Sequence, residues 1–558
     1  MKRYFIAVAI LFVSAISVQA QNTSGILFNR DIIPASSILS LSQRDAVGTA
    51  RSMAMGGAFT SLGGDMASFG YNPAGFGMYQ RNEISASLGL GIAHAKNYNA
   101  YNTTGNNSVR AAVNNIGASF NIFEGTGTLT AVNVAIGYNK VADYNYEMSY
   151  ESPETISSLA NAFADIANAG RLTTTIFDAG TPKEAQYITD PATKNMDYDM
   201  GSYYWSTVLG YKTGLISRNS EGQWYPDEVG IDALRSQYTN LKSRGSAGEF
   251  SFAFGFNVSN ILYFGASLDV QSISRRQSIF YDEYIYYNGS APSPEQLPYQ
   301  LRDFQFEQTV DIKGAGVGAK FGVVARPVPG LRIGVAVHTP SYYSVSYRYS
   351  ASLASTSLSV GDDPNNWAAP DGYVYVEEST PILQDAEEYR WKFTTPTRVL
   401  AGISYTFSKY AIVSADYQYD AYKSLKLNYA PTDTGYDNSA FRDNLKGVHT
   451  LRVGVEAKPL PWLALRVGGG FKSKVLNANY DFVKFSEPME DSMWYASAGL
   501  GFRLSEVTSI DVAYQYRNAR YSDYYSFYTT NSEGVNCSPL YGLDLLKHNI
   551  ALTFAFRF

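Results

Sequence analysis

Leu546-Lys547-His548-Asn549-Ile550-Ala551-Leu552-Thr553-Phe554-Ala555-Phe556-Arg557-Phe558 is the stretch that decides the fold. Ile550, Leu552, Phe554, Phe556 and Phe558 fall on one side of an extended chain, and Lys547, Asn549, Ala551, Thr553, Ala555 and Arg557 on the other. Successive side chains of a β-strand point to opposite faces, so this is a ribbon with one oily and one polar side. The same alternation recurs upstream. Phe250, Phe252, Phe254, Phe256 and Val258 oppose Glu249, Ser251, Ala253, Gly255 and Asn257, and Leu331, Ile333, Val335 and Val337 oppose Arg332, Gly334, Ala336 and His338.

Segments of this kind predict fourteen strands, near 82–95, 109–123, 129–141, 245–258, 262–279, 304–326, 331–349, 389–406, 411–427, 448–458, 462–474, 493–504, 509–521 and 546–558. Short links at 124–128, 259–261, 327–330, 407–410, 459–461 and 505–506 alternate with long ones at 96–108, 142–244, 280–303, 350–388, 426–447, 475–492 and 522–545. An even strand count with short turns at one end and long loops at the other is the pattern of a transmembrane antiparallel β-barrel. A last strand that ends on an aromatic residue resembles the closing strand of bacterial outer-membrane barrels. That resemblance implies recognition of Phe558 by the barrel assembly machinery. Arg332, Asp416, Arg452, Glu456, Arg466, Asp511 and Arg517 lie on the polar face. Basic residues facing lipid at mid-depth would cost about 2–4 kcal/mol each, so these charges are expected to face the lumen.

The N-terminus agrees with export. Met1-Lys2-Arg3 is basic, Tyr4 to Ile16 is apolar and Val18-Gln19-Ala20 is a small-residue cleavage site, so residues 1–20 read as a signal peptide. No later run approaches the roughly 18 apolar residues of a helical span. A barrel crosses a membrane without one, because closure pairs every backbone group. Forty-four basic against 50 acidic residues give no electrostatic case for nucleic acid. The single cysteine, Cys537, has no partner for an internal disulfide. The 45 tyrosines suit a membrane–water boundary, with an apolar ring and a wet hydroxyl. The expected location is the outer membrane of a Gram-negative bacterium, and the expected state a monomer bathed in outer-membrane lipid.

Catalytic and metal chemistry find no foothold. Gly314-Ala315-Gly316-Val317-Gly318-Ala319-Lys320 imitates a phosphate loop but lies inside a strand. His94, His338, His449 and His548 sit on separate strands without ligand spacing, and Asp362-Asp363-Pro364-Asn365-Asn366 lacks the spacing of a calcium loop. The expectation is no enzyme, no cofactor and no metal.

Residues 21–81 do not alternate and are expected to form a separate unit before the barrel at 82–558. Their core is Ala50-Arg51-Ser52-Met53-Ala54-Met55-Gly56-Gly57-Ala58-Phe59-Thr60, then Leu62-Gly63-Gly64-Asp65 and Tyr71-Asn72-Pro73-Ala74-Gly75-Phe76. The block resembles the N-terminal hatch of the long-chain fatty acid transporter (FadL/TodX) family, with weaker echoes at His338-Thr339-Pro340, Thr395-Pro396-Thr397 and Ser414-Ala415-Asp416. The resemblance implies a hatch inside the lumen and passive transport of hydrophobic molecules such as fatty acids or aromatic hydrocarbons. It also implies capture on outer loops, an apolar pocket above the hatch, and sideways release through the wall at a kink in the third strand. Gly137 is the candidate for that kink. Gly56, Gly57, Asn72, Pro73 and Ala74 are the candidates for hatch seating and gating. The insertion 142–244 departs from the family pattern. It holds expected helices near 153–169 and 230–243 and an aromatic cluster, of which Tyr204, Trp205, Tyr211 and Trp224 are candidates for ligand capture. The alternative for the whole chain is a barrel of this kind serving protein secretion, surface attachment or another protein interaction.

Overall fold

The long alternating segments pair edge to edge until no edge remains. The computed structural model describes residues 35–45, 48–99, 103–169, 205–226, 234–286, 299–359, 372–379, 389–408, 410–429, 438–477, 489–525, 527 and 539–558. Fourteen wall strands run in chain order: β1 (Glu83–Tyr98), β2 (Thr103–Glu124), β3 (Leu129–Asp143), β4 (Leu234–Val258), β5 (Leu262–Tyr286), β6 (Tyr299–Val328), β7 (Leu331–His338), β8 (Arg398–Phe407), β9 (Ala411–Asp420), β10 (Val448–Leu460), β11 (Leu463–Lys472), β12 (Glu490–Arg503), β13 (Thr508–Tyr521) and β14 (Leu540–Arg557). Each is antiparallel to its neighbours. β1 closes the ring against β14, from Glu83↔Arg557 to Tyr98↔Gly542.

Several strands continue after a break. Tyr146–Thr155 extends β3, Tyr342–Ser359 extends β7, Tyr389–Thr394 precedes β8 and Lys426–Tyr429 follows β9. Two of these breaks fall at Pro340 and Pro396, which have no N–H to give to a ladder. They face each other, and Ser341 N and Thr395 N close the gap by donating to Thr395 Oγ1 at 2.9 Å and Ser341 O at 3.0 Å.

The outward face carries an apolar belt. Phe250, Leu268 and Phe321 are each more than half exposed, an arrangement that water disfavours and lipid accepts. Among the described residues no helix is long and apolar enough to cross a membrane. The inward face is layered, as β4 shows: Leu241 and Ala247 lie in two apolar cores, Glu249 in a charged zone, and Ala253 in a third apolar cluster.

Several boundaries differ from the sequence expectation, and two of them show why. The link expected at 96–108 shrinks to 99–102, because β1 reaches Tyr98 and β2 begins at Thr103. Where a helix is expected at 230–243, the described residues 234–243 are the outer half of β4. In both places each face of the strand is mostly polar, so no apolar period marks it. Arg235, Gln237 and Thr239 are all buried on the inward side of β4. The other helix of the insertion forms at Leu159–Ala169.

Candidate functional site

The N-terminal segment is held against the inward face of the strands from residue 50 to residue 79. Thr49 caps the helix Ala50–Ala54, accepting from Ser52 N and donating from Oγ1 to Asp65 Oδ1 at 2.8 Å. Burial pushes the Asp65 carboxyl up, against the opposing pull of Arg51 and of hydrogen bonds from Ala67 N and Thr49. Gly56 and Gly57 follow at φ 63° and 72°, where only glycine sits without strain. A Cβ on Gly56 would fall on the backbone of Gly469, and one on Gly57 would come within 2.5 Å of the Tyr71 hydroxyl.

Asn72-Pro73-Ala74 forms a second anchor. Asn72 caps the short 3-10 helix Pro73–Met78, accepting from Ala74 N at 3.0 Å, and Pro73 takes its first turn. Asn72 Nδ2 donates to Thr60 O at 2.8 Å and reaches Val323 O and Val335 O at 3.4 Å each. Thr60 N in turn donates to Asp416 Oδ2 at 2.7 Å. Beneath these residues the strands carry glycines where the segment's backbone passes. Gly265 and Gly322, paired across β5 and β6, lie under Pro73 and Asn72. Gly334 and Gly402, paired across β7 and β8, lie under Thr60. Gly454 and Gly468, paired across β10 and β11, lie under Met55. This seat was not among the expectations from sequence, although each glycine stands at an inward position of its strand.

Above the segment lies a charged layer rather than an apolar pocket. Lys320 binds Glu249, lies 3.3 Å from Asp269, and donates to Phe69 O at 2.7 Å; Arg44 pairs with Glu249 at 3.0 Å. Arg398 pairs with Asp420 at 3.0 Å in the same layer, while Glu456, on the short-turn side of the segment, receives both Arg51 at 2.9 Å and Arg466 at 2.6 Å. His338 is in hydrogen-bond contact with Tyr71 O at 2.9 Å. A cavity of about 50 Å³ bounded by Arg44, Tyr71, His338, Arg398 and Arg452 has room for water but not for a hydrocarbon. The apolar chamber stands one layer further out. Its walls include Tyr343, Trp391, Phe393, Tyr422 and Phe441, and Ile38, Leu39 and Leu41 of the helix Ala35–Ser42 fill it.

Among the described residues the wall has an irregular seam at β2 and β3. β2 and β3 pair from Asn115↔Asn139 to Glu124↔Ala131, while the outer half of β2 continues with β1 alone. There the ladder gives way to side-chain bonds, such as Ser149 N to Asn106 Oδ1 at 2.9 Å and Asn97 Nδ2 to Ser149 O at 3.0 Å. Register shifts occur beside it, at Ser87/Leu88 in β1 and Lys140/Ala142 in β3. A cavity of about 20 Å³ touches Gly89, Gly91, Asn114, Lys140 and Arg517, together with Leu90 and Ile550 of the outward face. Gly137 stands in the regular ladder, paired with Gly117 and Ser251; a Cβ there would come within 2.6 Å of the Phe69 ring.

In the insertion, Trp224 is buried and meets Tyr211 edge-on at 5.5 Å. Asn168 clasps its backbone from both sides, at 2.8 Å each. Both aromatics belong to a closed core with Phe163, Phe304 and Phe306, so this part of the insertion is a packed cap. Trp205 opens the helix Trp205–Lys212. Tyr204 lies outside the described residues.

No family model matches the chain, and no curated protein matches it. Solved structures of similar architecture exist. The P. putida toluene transporter TodX shares 12% identity over 93% of this chain and 99% of that one, with a TM-score of 0.46. The Ralstonia pickettii toluene transporter TbuX shares 14% over 93% and 100%, at 0.44. A Pseudomonas aeruginosa FadL homologue shares 12% over 95% and 99%, at 0.46.

Proposed function

We propose that this chain is an outer-membrane barrel for passive uptake of hydrophobic small molecules, with residues 48–81 as its hatch. A single observation supports the reading: β2 leaves the ladder of β3 above Asn115↔Asn139, and a cavity of about 20 Å³ lined by Gly91, Asn114 and Lys140 lies on the lumen side beside that break. Hydrophobic cargo needs a sideways route. Each buried CH₂ contributes about 0.8 kcal/mol, so release into water would cost a long acyl chain on the order of 10 kcal/mol, whereas release sideways into lipid avoids that. The apolar chamber filled by Ile38, Leu39 and Leu41 is the resting station, and cargo takes it by displacing the helix Ala35–Ser42. The helix is eight residues long and marginal by itself, so its hold depends on that packing.

Uptake of labelled oleate by cells with and without the protein tests the function; equal uptake would sink it. The exit is tested at Gly91, where an added Cβ meets nothing nearer than 3.5 Å. Gly91→Trp is expected to leave the folded barrel intact and to lower uptake severalfold by filling the cavity beside the seam. Unchanged uptake in this variant places the exit elsewhere. One observation favours a second reading as a protein-interaction component: β4, β5 and β6 run for 25, 25 and 30 residues, where roughly 9–11 suffice to cross a membrane. Affinity purification that recovers a bound protein, with no lipid in the organic extract, would establish it.

A further inference from the structure

The outward face of β4 to β8 changes character abruptly where the apolar belt ends. Phe250, Val270, Val317 and Tyr342 form the last apolar row, joined by direct cross-strand pairing. The next row places Lys392 beside Ser344, Ala315, Ser272 and Gly248. Beyond it Arg390, Ser346, Lys313, Ser274 and Ser246 line up, and then Arg348, Asp311, Arg276 and Arg244. Six basic residues, all exposed, therefore share this face with one acid among the described residues of these rows. That acid, Asp311, is engaged by Arg276 through two bonds of 2.7 and 2.8 Å.

Like charges directly opposite each other, as Arg244 and Arg276 are, repel and disfavour the sheet. The far side of the barrel avoids this. There Asp544 stands between Lys96 and Arg520 in the same cross-strand row, and Lys474 has Asp491 at 3.3 Å. Among the described residues, these basic rows thus mark the β4–β8 flank off from the flank of Lys96 and Arg520. They lie at the end of the barrel that carries the long connections, at about 7, 13 and 20 Å along the strands beyond the belt. Long basic side chains reach back along apolar surface with their charge in the polar zone.

We propose that this flank is a binding site for the phosphorylated headgroup of a glycolipid in the outer leaflet, with Arg244, Lys313 and Arg390 as its principal cations. The acyl chains lie on the apolar row of Phe250, Val270, Val317 and Tyr342, and the phosphates meet the basic rows above. Clustered basic residues beside a membrane surface recognise anionic headgroups in this way, and guanidinium groups bind phosphate by paired hydrogen bonds. The site rests on the outer-membrane orientation given above, but not on uptake.

The test uses the full chain in detergent, titrated with a bis-phosphorylated diglucosamine lipid and with its dephosphorylated counterpart. The triple variant R244Q/K313Q/R390Q is expected to bind the phosphorylated lipid on the order of a hundredfold more weakly. Wild type is expected to lose a similar factor when the phosphates are removed, while the far-flank control K96Q/K474Q behaves as wild type. All three proteins are first checked for heat-modifiable migration, so that lost binding is read only on folded barrels. Equal binding by wild type and the triple variant overturns the site. So does binding indifferent to the phosphates, or displacement of the lipid by millimolar inorganic phosphate at constant ionic strength. A chain that binds the lipid but takes up no oleate overturns the proposed uptake alone.

Discussion

Asn72 joins three things that otherwise only touch: its own turn, the neighbouring loop at Thr60, and the wall at β6 and β7. Its replacement by alanine strands the Thr60 carbonyl in a buried place. The expected cost is about 1–3 kcal/mol in docking of this segment on the wall, read as faster amide exchange across 55–78 with the barrel's own exchange unchanged. Pro73→Ala relaxes the turn without removing a partner, at a cost of about 0.4–1 kcal/mol. If the turn gates passage, barrel yield and ligand binding stay normal while uptake falls. Lost yield would mark a folding role instead, and no effect on any of the three would take the turn out of the mechanism. Asn72 and Pro73 were legible because turn chemistry is local. The group Lys320, Glu249 and Asp269 was not, since its members lie on three strands and only register brings them within reach. A charge at an inward position amid apolar alternation was the available signal.

At the scale of elements, period-2 patterning located the strands wherever one face meets the belt and failed where both faces are polar. The outer halves of β2 and β4 are of this second kind, and hydrogen bonding between polar side chains holds them instead of an oily face. The helix Ala35–Ser42 was equally hidden. Eight residues with three buried aliphatics make too short a pattern to distinguish a helix from a strand. It nevertheless packs into one of the two large apolar cores inside the wall. Converting Ile38, Leu39 and Leu41 to serine should empty that chamber while leaving the ladders untouched. The expected result is severalfold stronger binding of a fluorescent fatty-acid probe and greater sensitivity of cells to hydrophobic dyes. Binding and sensitivity equal to wild type would show that the helix does not compete with cargo.

For the whole molecule, closure is the decisive property, and its seam runs through both ends of the wall. Phe558 exchanges two backbone bonds with Asn82, at 3.0 and 3.1 Å, and its ring stacks on Phe556 at 5.8 Å. Removing Phe558 deletes both bonds at the last point of closure. Yield of the heat-modifiable form in the outer membrane is expected to fall severalfold. An undiminished yield would mean that neither closure nor recognition depends on this residue. The strand count, the even closure and the inward charges could all be read from the sequence, because a barrel imposes one rule on every strand. The order of layers inside could not, since it depends on which inward residues share a height, and strand tilt and stagger set that.

The glycine seat beneath Met55, Thr60 and Pro73 has a chronological consequence. Ala50 N donates to Thr553 Oγ1 across 503 residues, and Ala54 O accepts from Ser497 Oγ across 443. The segment is made before every strand of the wall, and its first turn, Ala50–Ala54, has no place to dock until the final strands arrive; contacts of such separation form slowly. During that interval it travels beside the growing wall as an uncommitted chain. A pulse–chase with added protease should show cleavage within 50–78 while the barrel is still open, and protection that appears together with the heat-modifiable form. Protection before closure would mean that the segment waits elsewhere, on another surface than the one it finally occupies.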